Sequence, residues 1–161
     1  MSTPAFVLIL ICTAQVSLAQ NAIRLDVLKK SQIGKKYCYD STTSDNQGNK
    51  VYITYLGRIT SNSGDVIKVL TWSRVWGPNN HTTGTIYLFD KFNKYRGKYE
   101  LGDQWDLPTK IEKQQLVFIR KNSNCTPGLT SKADFSQGIP RKLFIRCKGE
   151  SGDLYNYSTR K

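Results

Sequence analysis

Val51-Tyr52-Ile53-Thr54-Tyr55-Leu56-Gly57-Arg58-Ile59-Thr60 is a run of β-branched and aromatic residues. It breaks at Ser61-Asn62-Ser63-Gly64 and resumes as Asp65-Val66-Ile67-Lys68-Val69-Leu70-Thr71-Trp72-Ser73-Arg74-Val75. Side chains branched at Cβ lose rotamer freedom in a helix and pack well on a pleated strand, and the Ser/Asn/Gly cluster between the runs is turn chemistry. The expectation is two strands joined by a short turn. Alternation along the first puts Val51, Ile53, Tyr55, Gly57 and Ile59 on one face, with Tyr52, Thr54, Leu56 and Arg58 on the other. Along the second, Ile67, Val69, Thr71, Ser73 and Val75 form the expected core face. Trp72 and Trp76 then lie outside, near Lys68 and Arg74.

The same pattern extends in both directions. Strand-like runs fall at 35–40, 51–60, 65–75, 83–90, 94–101, 115–121, 142–148 and 153–157, separated by clusters of Gly, Asn, Asp, Ser or Pro. Regular spacing of this kind predicts an all-β fold: a single antiparallel β-barrel or β-sandwich of about eight strands. Only 21–30 reads as helical, with Ile23, Val27 and Lys30 on one side, as a short lead-in. The stretches 102–113 and 126–141 read as long irregular connections, and such loops tend to carry function or disorder.

Residues 1–19 read as a secretory signal peptide. Ala5–Cys12 is an uncharged apolar run, and Ser17-Leu18-Ala19 offers the small residues a signal peptidase requires. The run is too short for a membrane anchor, which needs about 20 apolar residues. Without its first 19 residues the 161-residue chain has 142, enough for one hydrophobic core, so residues 20–161 read as a single β-rich secreted domain. An extracellular location follows from the signal.

Of the four cysteines, Cys12 leaves with the signal, and Cys38, Cys125 and Cys147 remain. An odd count in a secreted chain means one disulfide and a spare thiol, or a disulfide-linked dimer through the odd cysteine. Three pairings are open. Cys38 and Cys147 lie in strand-like runs near the two ends, which a closed barrel would bring together, and this is the pairing expected. Cys125–Cys147 would close a shorter loop. Glycosylation is expected at Asn80, in the exposed turn Gly77-Pro78-Asn79-Asn80, and at Asn156; Asn124 heads a third sequon compromised by Cys125 and Pro127.

The chain carries 24 Lys+Arg against 12 Asp+Glu, a formal net charge of +12 that lies wholly after the signal. Lys94, Arg96 and Lys98 alternate along one expected strand, on the face opposite Tyr95, Tyr99 and Leu101. Lys142, Arg146 and Lys148 share a face with Phe144 on another, opposite Leu143, Ile145 and Cys147. If these strands are neighbours, the cations tile one sheet face, with Trp72 and Arg74 at its margin. Solvent-facing Lys and Arg are also ordinary on antiparallel sheets, but a two-to-one excess of base over acid favours an anionic partner.

Catalysis finds little support. His81 is the only imidazole, which removes most Ser–His or Cys–His chemistry and, with widely spaced cysteines, argues against zinc. Glu100, Asp103 and Asp106 are the one carboxylate cluster that could serve a glycosidase-like cleft. No catalytic residue, metal or cofactor is assigned. The first function class is therefore a secreted, non-enzymatic binding protein that engages an anionic glycan, a lipid surface or an acidic protein. The second is a lipocalin-like barrel carrying a small apolar ligand, although the Gly-x-Trp pattern of lipocalins is missing and Gly34-Lys35-Lys36-Tyr37 is only a distorted counterpart. The third is a secreted effector or immune factor acting by protein–protein contact.

Overall fold

The computed structural model describes residues 20–41, 49–121 and 124–160. The expected signal segment 1–19 and most of the 42–49 turn lie outside the described residues. Residues 20–30 are helical (α1). Ten strands follow: β1 (Lys36–Ser41), β2 (Asn49–Thr60), β3 (Val66–Trp76), β4 (His81–Phe89), β5 (Tyr95–Leu101), β6 (Lys110–Glu112), β7 (Gln115–Ile119), β8 (Thr130–Asp134), β9 (Lys142–Lys148) and β10 (Ser151–Ser158). A single 3-10 turn, Gln104–Asp106, lies between β5 and β6. The fold is mostly β and every ladder between named strands is antiparallel, as the sequence pattern predicts.

The expected closed barrel is not found. The strands form a seven-stranded sheet in the order β1-β2-β3-β4-β5-β10-β9 and a separate three-stranded sheet, β6-β7-β8. The small sheet lies against the gap between the edges of the large one, with β8 beside β9 and β6 beside β2. Side chains take over there from ladder bonds. The Arg146 amide donates to Ser131 Oγ (2.9 Å), Arg146 Nη2 donates to the Thr130 carbonyl (2.9 Å), and Gln114 Nε2 donates to the Thr60 carbonyl (2.8 Å). Strands of three and five residues, β6 and β8, are too short to carry a continuous ladder around the structure.

Two apolar cores result, one on each side of the large sheet. The inner one gathers Leu56, Ile59, Ile67, Val69, Ile86, Leu88 and Tyr99 with Leu116 and Phe118 of β7 and Leu143 and Ile145 of β9. The outer one is built by α1: Val27 and Leu28 are fully buried against Ile53, Tyr55, Leu70, Trp72 and Phe89. Burying each of these two helix side chains stabilises the fold by about 1.5–3 kcal/mol, so α1 is a packed element and not a lead-in. Trp72 is consequently only 8% exposed. Its parity was read correctly, but its face is covered by the helix, with the Arg24 guanidinium 5.7 Å from its ring and 4.3 Å from that of Tyr87. Trp72 is therefore no part of a contact surface.

Three register slips correct the simple alternation, one of them at Cys147 in β9, where it turns Lys148 to the side opposite Lys142. In β2 the register slips between Tyr55 and Gly57, where Gly57 takes φ +125°. One extra residue reverses the side-chain sense of all that follows. Ile53 and Tyr55 therefore face α1, whereas Leu56 and Ile59 both face the inner core. In β5 a second slip places Tyr95 opposite Phe89 in the helix-side core, on the side that Lys98 shares with Tyr87. Lys94, Arg96 and Lys98 thus do not form a single row.

The disulfide joins Cys125 to Cys147, with Cα atoms 4.6 Å apart, and Cys38 is free and exposed. This overturns the Cys38–Cys147 pairing, and the reason is the open topology. Cys38 lies on β1 and Cys147 on β9, the two opposite edges of the seven-stranded sheet. Because that sheet does not close on itself, the edges do not pair. Two strands were also hidden in the stretches read as irregular, β6 within 102–113 and β8 within 126–141. Lys110-Ile111-Glu112 and Thr130-Ser131-Lys132-Ala133-Asp134 hold too little apolar surface to announce a strand.

Candidate ligand-binding cleft

The inner face of the large sheet changes character along its width. Cross-strand register sets Lys36, Thr54, Thr71, Ile86 and Tyr99 in one row, and Cys38, Tyr52, Ser73, Gly84 and Leu101 in the next. At the β4–β5 end these rows are apolar and merge with the inner core. At the β1–β3 end Thr54, Thr71 and Ser73 are small and polar, and a core cannot fill there to native density with Thr and Ser. A cleft of about 300 Å³ opens at that end.

Its floor is Tyr52, Thr54, Leu56, Thr71 and Ser73. The Thr71 hydroxyl bonds the Thr54 carbonyl (3.4 Å), whereas no hydrogen bond among the described residues engages the hydroxyls of Tyr52, Thr54 or Ser73. The opposite wall is Gln104, Trp105, Leu107, Pro108 and Thr109, with Ile119 at the end of β7. Trp105 is 47% exposed, unusual for an indole with no protein ring stacked on it. Two cations complete the lining, Lys36 and Lys121. Lys36 Nζ sits 4.1 Å from the Tyr52 ring centroid, a cation–π contact that holds the ammonium at the cleft.

The wall segment is pinned in three places. Gly84 lets it approach β4: a Cβ there would stand 2.6 Å from the Asp103 carbonyl and 3.0 Å from Leu107 Cγ. Asp103 caps the 3-10 turn, accepting from the Trp105 amide (3.1 Å) and from the Thr82 hydroxyl (2.6 Å). Asp106 is buried against Arg120 and accepts from the Tyr155 hydroxyl (2.7 Å). Burial first, and then the adjacent Asp106 carboxylate, push the Tyr155 phenol well above its ordinary range, so it remains a donor.

These contacts also settle where the three acidic residues go. Glu100 pairs with Lys98 (2.5 Å) on the outer face, Asp103 caps a turn, and Asp106 is inside with Arg120. They do not converge on a shared cleft. His81 is exposed at the start of β4, its ring 6.0 Å from that of Trp76. No group of three His, Cys, Asp or Glu is placed to hold a metal among the described residues.

The expected basic residues are distributed unevenly. Because β10 lies between β5 and β9, Lys98 and Lys142 share the outer face of one sheet, whereas a register slip at Cys147 sets Lys148 on the other side and the Arg146 guanidinium is held by the Thr130 carbonyl. Arg96 instead turns to Asp65 (3.1 Å), and Lys94 is exposed beside the Asp90–Lys94 turn. Arg74 is exposed, with its guanidinium 5.6 Å from the Trp76 ring. Phe144 and Leu154, 46% and 53% exposed, face each other across β9 and β10 within the same basic area. Asn80 is exposed in the β3–β4 turn and Asn156 is exposed on β10.

Sequence reasoning did not bring Lys36 and Lys121 together at one site. A signal was present in the short hydroxyls Thr54, Thr71 and Ser73 within strands otherwise rich in Ile, Val and Leu. No protein-family model, no curated protein and no solved structure matches this chain.

Proposed function

We propose that the protein is a non-enzymatic binding protein that captures a small, partly apolar molecule in the cleft between β1–β3 and the 104–109 segment. One observation carries this reading: the floor holds Thr54, Thr71 and Ser73 where large apolar side chains would have filled it, leaving about 300 Å³ under an exposed indole. That volume is at the lower bound of ligand pockets, and a mostly apolar wall with a few polar groups is their usual chemistry. The neutral fluorophore N-phenyl-1-naphthylamine tests it. Its emission should rise on addition of the protein, and Trp105→Ala should weaken binding by about fivefold or more, as removal of a tryptophan anchor does. No enhancement, or an unchanged affinity in the variant, would reject the cleft as a binding site.

An oxidising, extracellular setting fits the Cys125–Cys147 bridge. No helix among the described residues is long and apolar enough to cross a membrane. Modification at Asn80 and Asn156 belongs to the same secreted reading.

A second reading is favoured by the outer face of β5, β10 and β9. There Lys98 and Lys142 share a face with exposed Phe144 and Leu154, a combination suited to an anionic glycan, lipid surface or acidic protein. Retention on immobilised heparin should exceed that of an unrelated protein of equal net charge. It should drop to that level in the Lys142→Glu variant. Equal retention of parent and variant would remove this surface from consideration.

A further inference from the structure

Resting on the cleft reading, we propose that the ligand is an anionic amphiphile, with its charged head met by Lys36 and Lys121 and its apolar body lying against Trp105, Leu107 and Ile119. Among the described residues the cleft is lined by two lysines and by no carboxylate. Neither ammonium has a carboxylate partner among the described residues. The acids of the wall segment are occupied elsewhere, Asp103 on the Thr82 hydroxyl and a backbone amide, and Asp106 on Arg120.

Physical chemistry then selects the sign of the guest. Two like charges on one concave surface repel each other, and low-dielectric walls concentrate their field within the opening. A single anion relieves that repulsion, a neutral guest leaves it unchanged, and a cation adds to it. Lys36 and Lys121 are both exposed, which places the charge at the rim. Leu56 and Leu107 lie among or against the inner core, which places the apolar surface deeper. A linear guest fits this polarity only with its charge outward. The hydroxyls of Tyr52, Thr54 and Ser73 add donors to the floor, so a head group with acceptor oxygens is favoured over a bare alkyl chain.

The test is displacement of N-phenyl-1-naphthylamine by three twelve-carbon probes below their micellar concentrations: dodecanoate, dodecanol and dodecylammonium. Dodecanoate should compete about tenfold more tightly than dodecanol, with dodecylammonium weakest, since two exposed charges each contribute a few-fold. Lys36→Gln and Lys121→Gln should each cut the dodecanoate preference by about threefold, and the double variant should erase it. Dodecanol affinity should fall by less than dodecanoate affinity, and the thermal midpoint should stay constant, because both side chains are exposed. Equal competition by all three probes, with Trp105→Ala still weakening each, would overturn the anionic assignment and leave the cleft standing. Failure of the fluorophore and of every probe to bind would overturn the cleft itself.

Discussion

Replacing Arg120 with alanine should destabilise the protein by about 3–5 kcal/mol, the range for removing one partner of a buried ion pair. The Arg120 side chain is 2% exposed, and its guanidinium serves four acceptors: Asp106, Asp153 (2.8 Å), the Ile145 carbonyl (3.0 Å) and the Arg146 carbonyl (2.8 Å). These contacts are unequal. Asp153 is 54% exposed, so its share is screened and worth at most about 1 kcal/mol. Asp106 is 7% exposed, and without Arg120 its carboxylate is stranded with one phenol donor. Arg120→Lys should recover little, because one ammonium cannot reproduce a rigid planar fork directed at several acceptors. Arg120→Met paired with Asp106→Leu should recover most of the loss, because the stranded charge is then gone. Urea unfolding of the parent, both single variants and the double variant measures the coupling. Additive losses would show that Asp106 is not what makes Arg120 costly to remove. The same pair pins the wall of the cleft, so the Arg120 variants should lose fluorophore binding before they lose secondary structure.

What was legible in the chain followed from local chemistry. The β2–turn–β3 unit was readable because Ser61-Asn62-Ser63-Gly64 separates two long β-branched runs, and the inner face of β3 was readable because Ile67 and Val69 alternate cleanly. What was hidden depended on a single residue or on distant partners. The slips at Gly57 and ahead of Gly97 each invert a face, yet both strands keep an unbroken β-like composition. Closure into a barrel was an inference from strand number, whereas the actual topology leaves β1 and β9 as separate edges, and the cysteine pairing built on closure failed with it. Trp72 was placed on the correct face, but the helix that covers it comes from a segment whose apolar residues looked too few to matter. The cleft lay between these cases. Thr54, Thr71 and Ser73 stand in plain view as a shortage of apolar bulk. Only the register aligns them with one another, and only the fold brings Lys36 and Lys121, far apart in the chain, to one opening.

Substituting both Cys125 and Cys147 with serine should lower stability by about 3 kcal/mol, the chain-entropy value for a loop of this size. The sequence separation is 22 residues, and the loop so closed contains β8 and all of β9 up to Cys147. The bridge does more than shorten the unfolded chain, because it sits where the two sheets meet without a ladder. Beside it the Thr126 amide donates to the Cys147 carbonyl (2.8 Å), and Arg146 reaches Thr130 and Ser131. With the covalent link gone, only those few hydrogen bonds, each contributing on the order of 1 kcal/mol, join the two sheets at this seam, beside the Arg120 contacts and the packing of Leu116 and Phe118 in the inner core. Amide exchange should therefore accelerate in β6, β7 and β8 well before β2, β3 and β4, whose ladders lie entirely within the large sheet. Cys38→Ser should change neither stability nor exchange, because the Cys38 side chain is exposed and unbonded on an edge strand. A double serine variant as stable as the parent would refute the assigned role of the bridge, and a destabilised Cys38→Ser would refute the pairing.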